Sequence, residues 1–239
     1  MTDKPNVVII HDGDQEYLKT ALARARAAGN TVAHLGFDRQ SDSGPRFEAA
    51  YKHMSTHPHI FELRCFQRFF VMQRFMQDNG LESFFHVDSD VLLFEDLHGF
   101  EEEHLKARGV PCGMHMPLAQ PGFRYSYGPQ TSYWTRGAVD EFCAYLVSSF
   151  ENMLPAMTEK WDWHCKTGAA GGICDMALLH LWARDRTDVV NFAAPIGGAV
   201  FDLNINGAEN LVKDEYETRF GRKHIVFRDG RPWCRNLKS

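Results

Sequence analysis

The first forty residues constrain the fold more than any other stretch. NVVII (6–10) is an unbroken apolar run closed by HDGD. Residues 15–28, QEYLKTALARARAA, are strong helix formers that stop at Gly29-Asn30. TVAHLGFD (31–38) is a second strand-like run ending at Asp38. A helix between two buried strands makes them parallel neighbours, and repetition of that unit implies an α/β fold with a mostly parallel central sheet flanked by helices.

The rest of the chain continues the alternation. SDSGPR (41–46) is expected to be a polar loop. FELRCFQRFFVMQRFMQDNG (61–80) is expected to be a helix, with apolar positions at roughly helical period and a stop at Asn79-Gly80. FFHVDSDVLLFEDL (84–97) follows as a central strand. VPCGMHM (110–116) is a further strand, PLAQPGFRYSYGPQ (117–130) a long loop, and GAVDEFCAYLVSSFENML (137–154) an amphipathic helix. After the loop WDWHCKTGAAGG come a helix over 173–184, a strand over 189–195 and a closing hairpin, KHIVF-RDG-RPWC, turned by Asp229-Gly230. Without a repeat or a dividing linker, the 239 residues are expected to be one domain.

The central strand raises a chemical question. Two carboxylates, Asp88 and Asp90, interrupt an element with apolar or aromatic residues on both sides, Phe84–Val87 and Val91–Phe94. Residues two apart on a strand share a face, so the two charges would repel. A divalent cation removes most of that penalty, and hard oxygen ligands suit Mn²⁺ or Mg²⁺, whose shell substrate phosphates usually complete. The pair would sit at the carboxyl end of a parallel strand, where open α/β sheets bind ligands. A strand running into an aspartate-rich turn is the plainer alternative.

Composition removes other classes. The net charge of −5, with acidic and basic residues mixed, argues against nucleic acid as a partner. The four-residue apolar run near the amino terminus is too short for a signal segment or a membrane span, so a cytoplasmic location is expected. Six scattered cysteines without a CxxC pair point to reduced side chains rather than a zinc ribbon or a disulfide framework.

FFHVDSDVLLFEDL resembles the DxD segment of GT-A-type glycosyltransferases. The order of parts is similar too: a βαβ start, an arginine-bearing helix before the DxD strand, and a glycine-containing loop leading to an aspartate-bearing helix. Among these enzymes it is nearest to the family-8-like members, in which the motif is followed by an acidic DL, here Asp96-Leu97, and a late histidine precedes a G-x-K-P-W segment. Here His224 precedes Gly230-Arg231-Pro232-Trp233, with longer spacing and arginine for lysine. The resemblance implies a GT-A-like fold, with residues 1–97 as nucleotide-binding half and 98–239 as acceptor half. It also implies a metal-dependent transferase that moves a sugar from a nucleotide-diphosphate donor to a carbohydrate or other hydroxyl-bearing acceptor.

Under that resemblance Asp90 would bind Mn²⁺ or Mg²⁺ directly. Asp88 would do so through water or hold the donor, Ser89 between them would also contact the donor, and His224 would be a third ligand. Arg231 would balance phosphate charge, unless it belongs to a solvated cationic turn. Asp12 and Asp38, each at a strand end, can accept from a base edge or a ribose hydroxyl, or cap helices. Arg64 and Arg68 share a helix face, and Arg68 is the one expected in the donor cleft, with a surface ion pair as alternative. Asp175, in the first turn of its helix, is the candidate general base, with Asp162 next and a plain cap as alternative. Trp161 and Trp163 are candidate acceptor platforms, or core.

Other families share the letters. VDSDVL fits the haloacid-dehalogenase phosphohydrolases, which carry the motif on the first strand, followed by a lysine and an acidic pair not found here. His86-Val87-Asp88 fits Fe(II)/2-oxoglutarate oxygenases, whose double-stranded β-helix conflicts with the helices at 15–28 and 61–80. A non-catalytic nucleotide-sugar-binding domain is the remaining alternative.

Overall fold

The computed structural model describes residues 4–118 and 120–238. The opening unit is β1 (Val7–Ile10), α1 (Glu16–Ala27) and β2 (Val32–Leu35), with β1 and β2 paired in parallel, Val7 opposite Val32. Next come α2 (Gly44–Ala50), α3 (His59–Asn79) and β3 (Ser83–Val87). Gly80 ends α3 in the left-handed conformation, φ 56°, and its N–H donates to Met76 O. After α4 (Leu97–Phe100) the chain supplies β4 (Cys112–His115), β5 (Gly128–Thr135), α5 (Arg136–Asn152), α6 (Pro155–Thr167), α7 (Asp175–Ala183) and β6 (Val189–Asn191).

Six strands form one sheet in the order β2-β1-β3-β5-β4-β6. β5 runs antiparallel to both neighbours, and the other five strands point one way. Successive side chains alternate between two covered faces. Val8, Ile10, Phe84, Cys112 and Trp134 pack with α2, α3, α5 and α7. Val7, Ile9, Phe85, Val87 and Tyr133 pack with α1, Leu97, Leu105 and Phe201. This is the α/β architecture with a mostly parallel sheet flanked by helices that the sequence implies, and it leaves no place for a double-stranded β-helix. Beyond the sheet, β7 (Thr218–Arg219) pairs with β8 (Arg222–Lys223), and β9 (Ile225–Arg228) with β10 (Arg231–Cys234).

Several local expectations are corrected. The strand stops at Val87, so Asp88 and Asp90 lie in a turn after it rather than within a core element, and Leu92 is exposed. The expected loop SDSGPR enters α2, because Pro45 takes a first-turn position where its missing N–H costs nothing. The loop after Met116 gives way at Gly128 to the long strand β5. WDWHCKT is the end of α6 rather than a loop, and β6 stops at Asn191 rather than 195.

One contact outside the sheet sets the spacing of two helices. Residues 54–56, leading into α3, pair with 171–173, leading into α7: Thr56 N donates to Gly171 O at 3.0 Å and Ile173 N to Met54 O at 2.7 Å. A Cβ on Gly172 would overlap Met54 O and stand 2.5 Å from Ser55 Cα, so only glycine lets the backbones meet. Gly172→Ala is therefore expected to cost roughly 2–3 kcal/mol, a fall in melting temperature of about 5–10 °C. An unchanged melting temperature would show that the contact is not needed.

Candidate functional site

The carboxyl ends of β1, β2 and β3 lie side by side and carry most of the polar residues singled out in the sequence. At β3, Asp88 follows the strand directly, its N–H held by Gln130 O at 2.8 Å. α3 crosses behind it and presents Arg68. The Arg68 guanidinium donates from Nη1 to Asp88 Oδ1 at 2.7 Å and from Nε to Cys65 O at 2.9 Å. Its Nη2 stands 3.0 Å from Asp175 Oδ2, at the start of α7. Three predicted site residues thus meet through one guanidinium, although 107 positions separate Arg68 from Asp175.

Burial sets the electrostatics of this trio. Asp175 is 2% exposed, and its Oδ1 accepts from Met176 N at 2.8 Å. The contact of Asp175 Oδ2 with Arg68 is an ion pair without hydrogen-bond geometry, which leaves that oxygen a buried acceptor with no hydrogen bond. Burial pushes the Asp175 carboxyl up to about 6; Arg68 opposes the shift, while Asp88 and Glu62 add to it. Burial also works against the charge on Arg68, but Asp175 and Asp88 more than offset it and the guanidinium stays charged. His86 is buried and held neutral, its pKa lowered to about 4 by burial, a shift that Asp88 opposes and Arg68 reinforces. Its Nδ1–H donates to Pro129 O at 3.2 Å, and its Nε2 lies 3.7 Å from Asp88 Oδ1.

A second group forms at β1 and β2. Asp12 Oδ1 accepts from Phe37 N at 3.2 Å, and Asp12 Oδ2 lies 3.5 Å from Arg64 Nη2. The Arg64 guanidinium covers the Phe37 ring at 4.6 Å. Asp12 and Asp38 flank Gly36, where a Cβ would stand 3.0 and 3.2 Å from their Oδ1 atoms. His11 joins this group to the DSD turn, its Nδ1 3.1 Å from Ser89 Oγ. Asp90 is exposed and makes no ion pair among the described residues.

An open cleft of about 250 Å³ is lined by Ser126, Gly128, Gln130, Met176, Leu203 and Asn204. Met176 is the residue after Asp175, and Gln130 is the residue whose carbonyl holds Asp88, so two of the residues lining the cleft adjoin the trio.

Other predicted residues are not gathered here. Among the described residues no group of three or more histidine, cysteine, aspartate or glutamate side chains stands close enough to hold a metal ion, so His224 does not complete a ligand set with Asp88 and Asp90. Its Nδ1 lies 3.2 Å from Glu217 Oε1. Arg231 pairs with Glu95 at 3.3 Å. Because α6 is a helix, Trp161 and Trp163 point away from each other: Trp161 packs on the core, and Trp163 stands 6.1 Å from Phe123. His11 belongs to the loop His11-Asp12-Gly13-Asp14, whose place at the end of the first strand marks it in the sequence as a rest for a base and ribose. Gln130 and Glu62 carry no such signal, and Gln130 becomes visible only with β5.

No family model matches the sequence, and no curated protein sequence does either. Among solved structures, the chain is similar to a glycosyltransferase involved in the glycosylation of the major capsid of PBCV-1, at 12% identity and a TM-score of 0.46, over 78% of this chain and 81% of that one.

Removing the guanidinium would leave the buried Asp175 carboxylate without its counter-charge, while Asp88, 31% exposed, keeps some contact with water. Arg68→Met is expected to lower stability by about 3–5 kcal/mol, and adding Asp175→Asn to recover part of the loss. Denaturant unfolding of the single and double variants measures both. Strict additivity would show that the two side chains are not coupled.

Proposed function

We propose that the protein is a glycosyltransferase that moves a sugar from a nucleotide-diphosphate donor to a hydroxyl-bearing acceptor, with Mn²⁺ or Mg²⁺ at the DSD turn. The observation that carries this reading is the Arg68 bridge between Asp88, at the end of β3, and Asp175, whose neighbour Met176 lines the cleft. Asp12 and Asp38, around Gly36, supply acceptors suited to ribose hydroxyls or a base edge, with Arg64 beside them. The cleft by Met176 has room for a sugar ring, and Ser126, Gln130 and Asn204 offer it polar contacts.

The residues of the turn fit a cation of this kind. Asp90 is open to solvent, while Asp88 has one oxygen engaged by Arg68 and another to offer. Two carboxylates without a third protein ligand suit an ion held jointly with substrate phosphates rather than one caged by the protein. When bound, such an ion stabilises the negative charge that develops on the departing phosphate. The acceptor oxygen attacks the anomeric carbon, and the bond from that carbon to the diphosphate breaks with its electrons leaving on the phosphate oxygen. The acceptor proton passes to Asp175. A carboxylate that titrates near 6 is ionised at neutral pH yet basic enough to take part. Arg68 fixes the Asp175 carboxylate and the Asp88 turn in one frame, so donor and acceptor sites keep their spacing.

Thermal melting with a panel of nucleoside diphosphates tests donor binding without knowledge of the acceptor. At a hundred times its dissociation constant the right nucleotide stabilises by about 2.7 kcal/mol, and chelation of the metal should remove most of that gain. Asp90→Asn should show the reduced gain even with Mn²⁺ present. If no nucleotide stabilises the protein in Mn²⁺, the reading fails.

Chemistry is followed as nucleotide release from a sugar donor. Turnover is expected to fall as pH drops through about 6, because the base must be ionised. Asp175→Asn should lower turnover by about 100-fold or more while nucleotide affinity stays near normal. An unchanged rate in this variant would move the base elsewhere.

A further inference from the structure

Charge is not spread evenly along this chain. Of its 26 lysines and arginines, seven fall in the twenty residues from Arg219 to Lys238, with a single acidic residue, Asp229; the remainder holds 19 basic against 30 acidic residues. Lys223 is buried on Asp202, Asn204 O and Glu209 O, and the other six cations are exposed. Large apolar side chains are exposed among them: Phe220 fully, Phe227 at 63% and Trp233 at 52%.

The two hairpins show that this exposure is built in. β9 and β10 turn through Asp229-Gly230, φ 51° and 75°, the pairing such a turn favours. β7 and β8 turn through Phe220-Gly221, φ 52° and 75°, with Arg219 and Arg222 on either side. A phenylalanine in the left-handed region is strained and, at a fully exposed tip, gains nothing from packing within the chain. In the β9–β10 pair, Val226 lies opposite Trp233 and Arg228 opposite Arg231, so these four share one face. Arg228 covers the Trp233 ring at 5.9 Å. Phe227 and Pro232 occupy the other face, where Phe227 packs on Phe94 at 5.7 Å.

We infer that the segment Thr218–Lys238 docks on an anionic lipid bilayer. Phe220 and Trp233 enter the headgroup boundary, and Arg219, Arg222, Arg228, Arg235 and Lys238 meet the lipid phosphates. Aromatic side chains amid arginines are the composition of interfacial segments. The acidic remainder of the chain favours a planar surface, touched only at the hairpins, over a flexible polyanion that would run along the body. Arg231 and Phe227 tie the docking segment to Glu95 and Phe94, just beyond the DSD turn, so attachment bears on the chain leaving the candidate site.

The full chain is floated with vesicles of phosphatidylcholine alone and of equal parts phosphatidylcholine and phosphatidylserine. No donor or metal is present, so the outcome is independent of the transferase reading. Binding is expected to the anionic vesicles only, lost as salt is raised. Arg219→Gln/Arg222→Gln/Arg235→Gln should lower partitioning by about 100-fold, and Phe220→Ser/Trp233→Ser should weaken it with melting unchanged. Quenching of tryptophan emission by brominated lipid in the unmodified protein, absent in Trp233→Phe, gives a reading that needs no destabilising change. Absence of binding, equal binding to both vesicles, variants that bind as the parent does, or binding to heparin or poly(U) without binding to vesicles would each overturn the inference.

Discussion

The Arg68 guanidinium, largely shielded from water with a carboxylate on each side, is the contact around which the upper edge of the sheet is arranged. Its three partners, Cys65 O, Asp88 and Asp175, come from α3, the end of β3 and the start of α7. Taking such charges out of water costs several kcal/mol each, and well-packed apolar side chains of similar volume would hold the same helices as firmly. The trio is therefore a poor device for stability. What it supplies is a fixed distance between two carboxylates on separate elements, which apolar packing cannot give with the same directionality. Under the transferase reading, that distance is the one between donor and acceptor.

The sheet order makes this meeting possible. An antiparallel strand inserted beside β3 brings its first residues, Gly128 to Gln130, to the carboxyl ends of the parallel strands. Asp88 N is thereby satisfied by Gln130 O, and the cleft gains a wall. The pairing of residues 54–56 with 171–173 does the corresponding work for the helices, since the starts of α3 and α7 could not approach if Gly172 carried a side chain. Arg68, in the third turn of α3, then reaches an aspartate at the first position of α7.

Much of this is legible in the sequence, for physical reasons that differ by element. β1, α1 and α3 announce themselves because their apolar residues follow one period and end at Gly29-Asn30 or Asn79-Gly80. The aspartates at strand ends were identifiable because carboxylates beside apolar runs are costly wherever they lie. β5 escaped because it opens with Gly-Pro, which marks a turn, before the strand-forming Thr-Ser-Tyr-Trp-Thr. α2 escaped because Ser-Gly-Pro-Arg reads equally as a turn and as a helix start with proline in the first turn. α6 escaped because Trp161, Asp162, Trp163 and His164 mix polarity without a clear stripe. The tie between Arg68 and Asp175 is of another kind: no local pattern encodes a pairing made by two helices that a bridge between their leading loops holds together.

Charge at the sheet edge bears on the order in which ligands arrive. Asp12, Asp38, Asp88, Asp90 and Asp175 bring five carboxylates there, against the guanidiniums of Arg64 and Arg68. Arg68 is already shared between two of the carboxylates and Arg64 leans on a third. A diphosphate, itself an anion, approaching such a surface meets repulsion that a high local dielectric only softens. On the proposed reading a divalent cation at Asp90 inverts the local sign and lets the phosphates settle where the protein alone would turn them away. Nucleotide and metal should then bind as a cooperative pair, each weak without the other, and the acidic edge becomes a means of discriminating a metal-loaded donor from a free nucleotide.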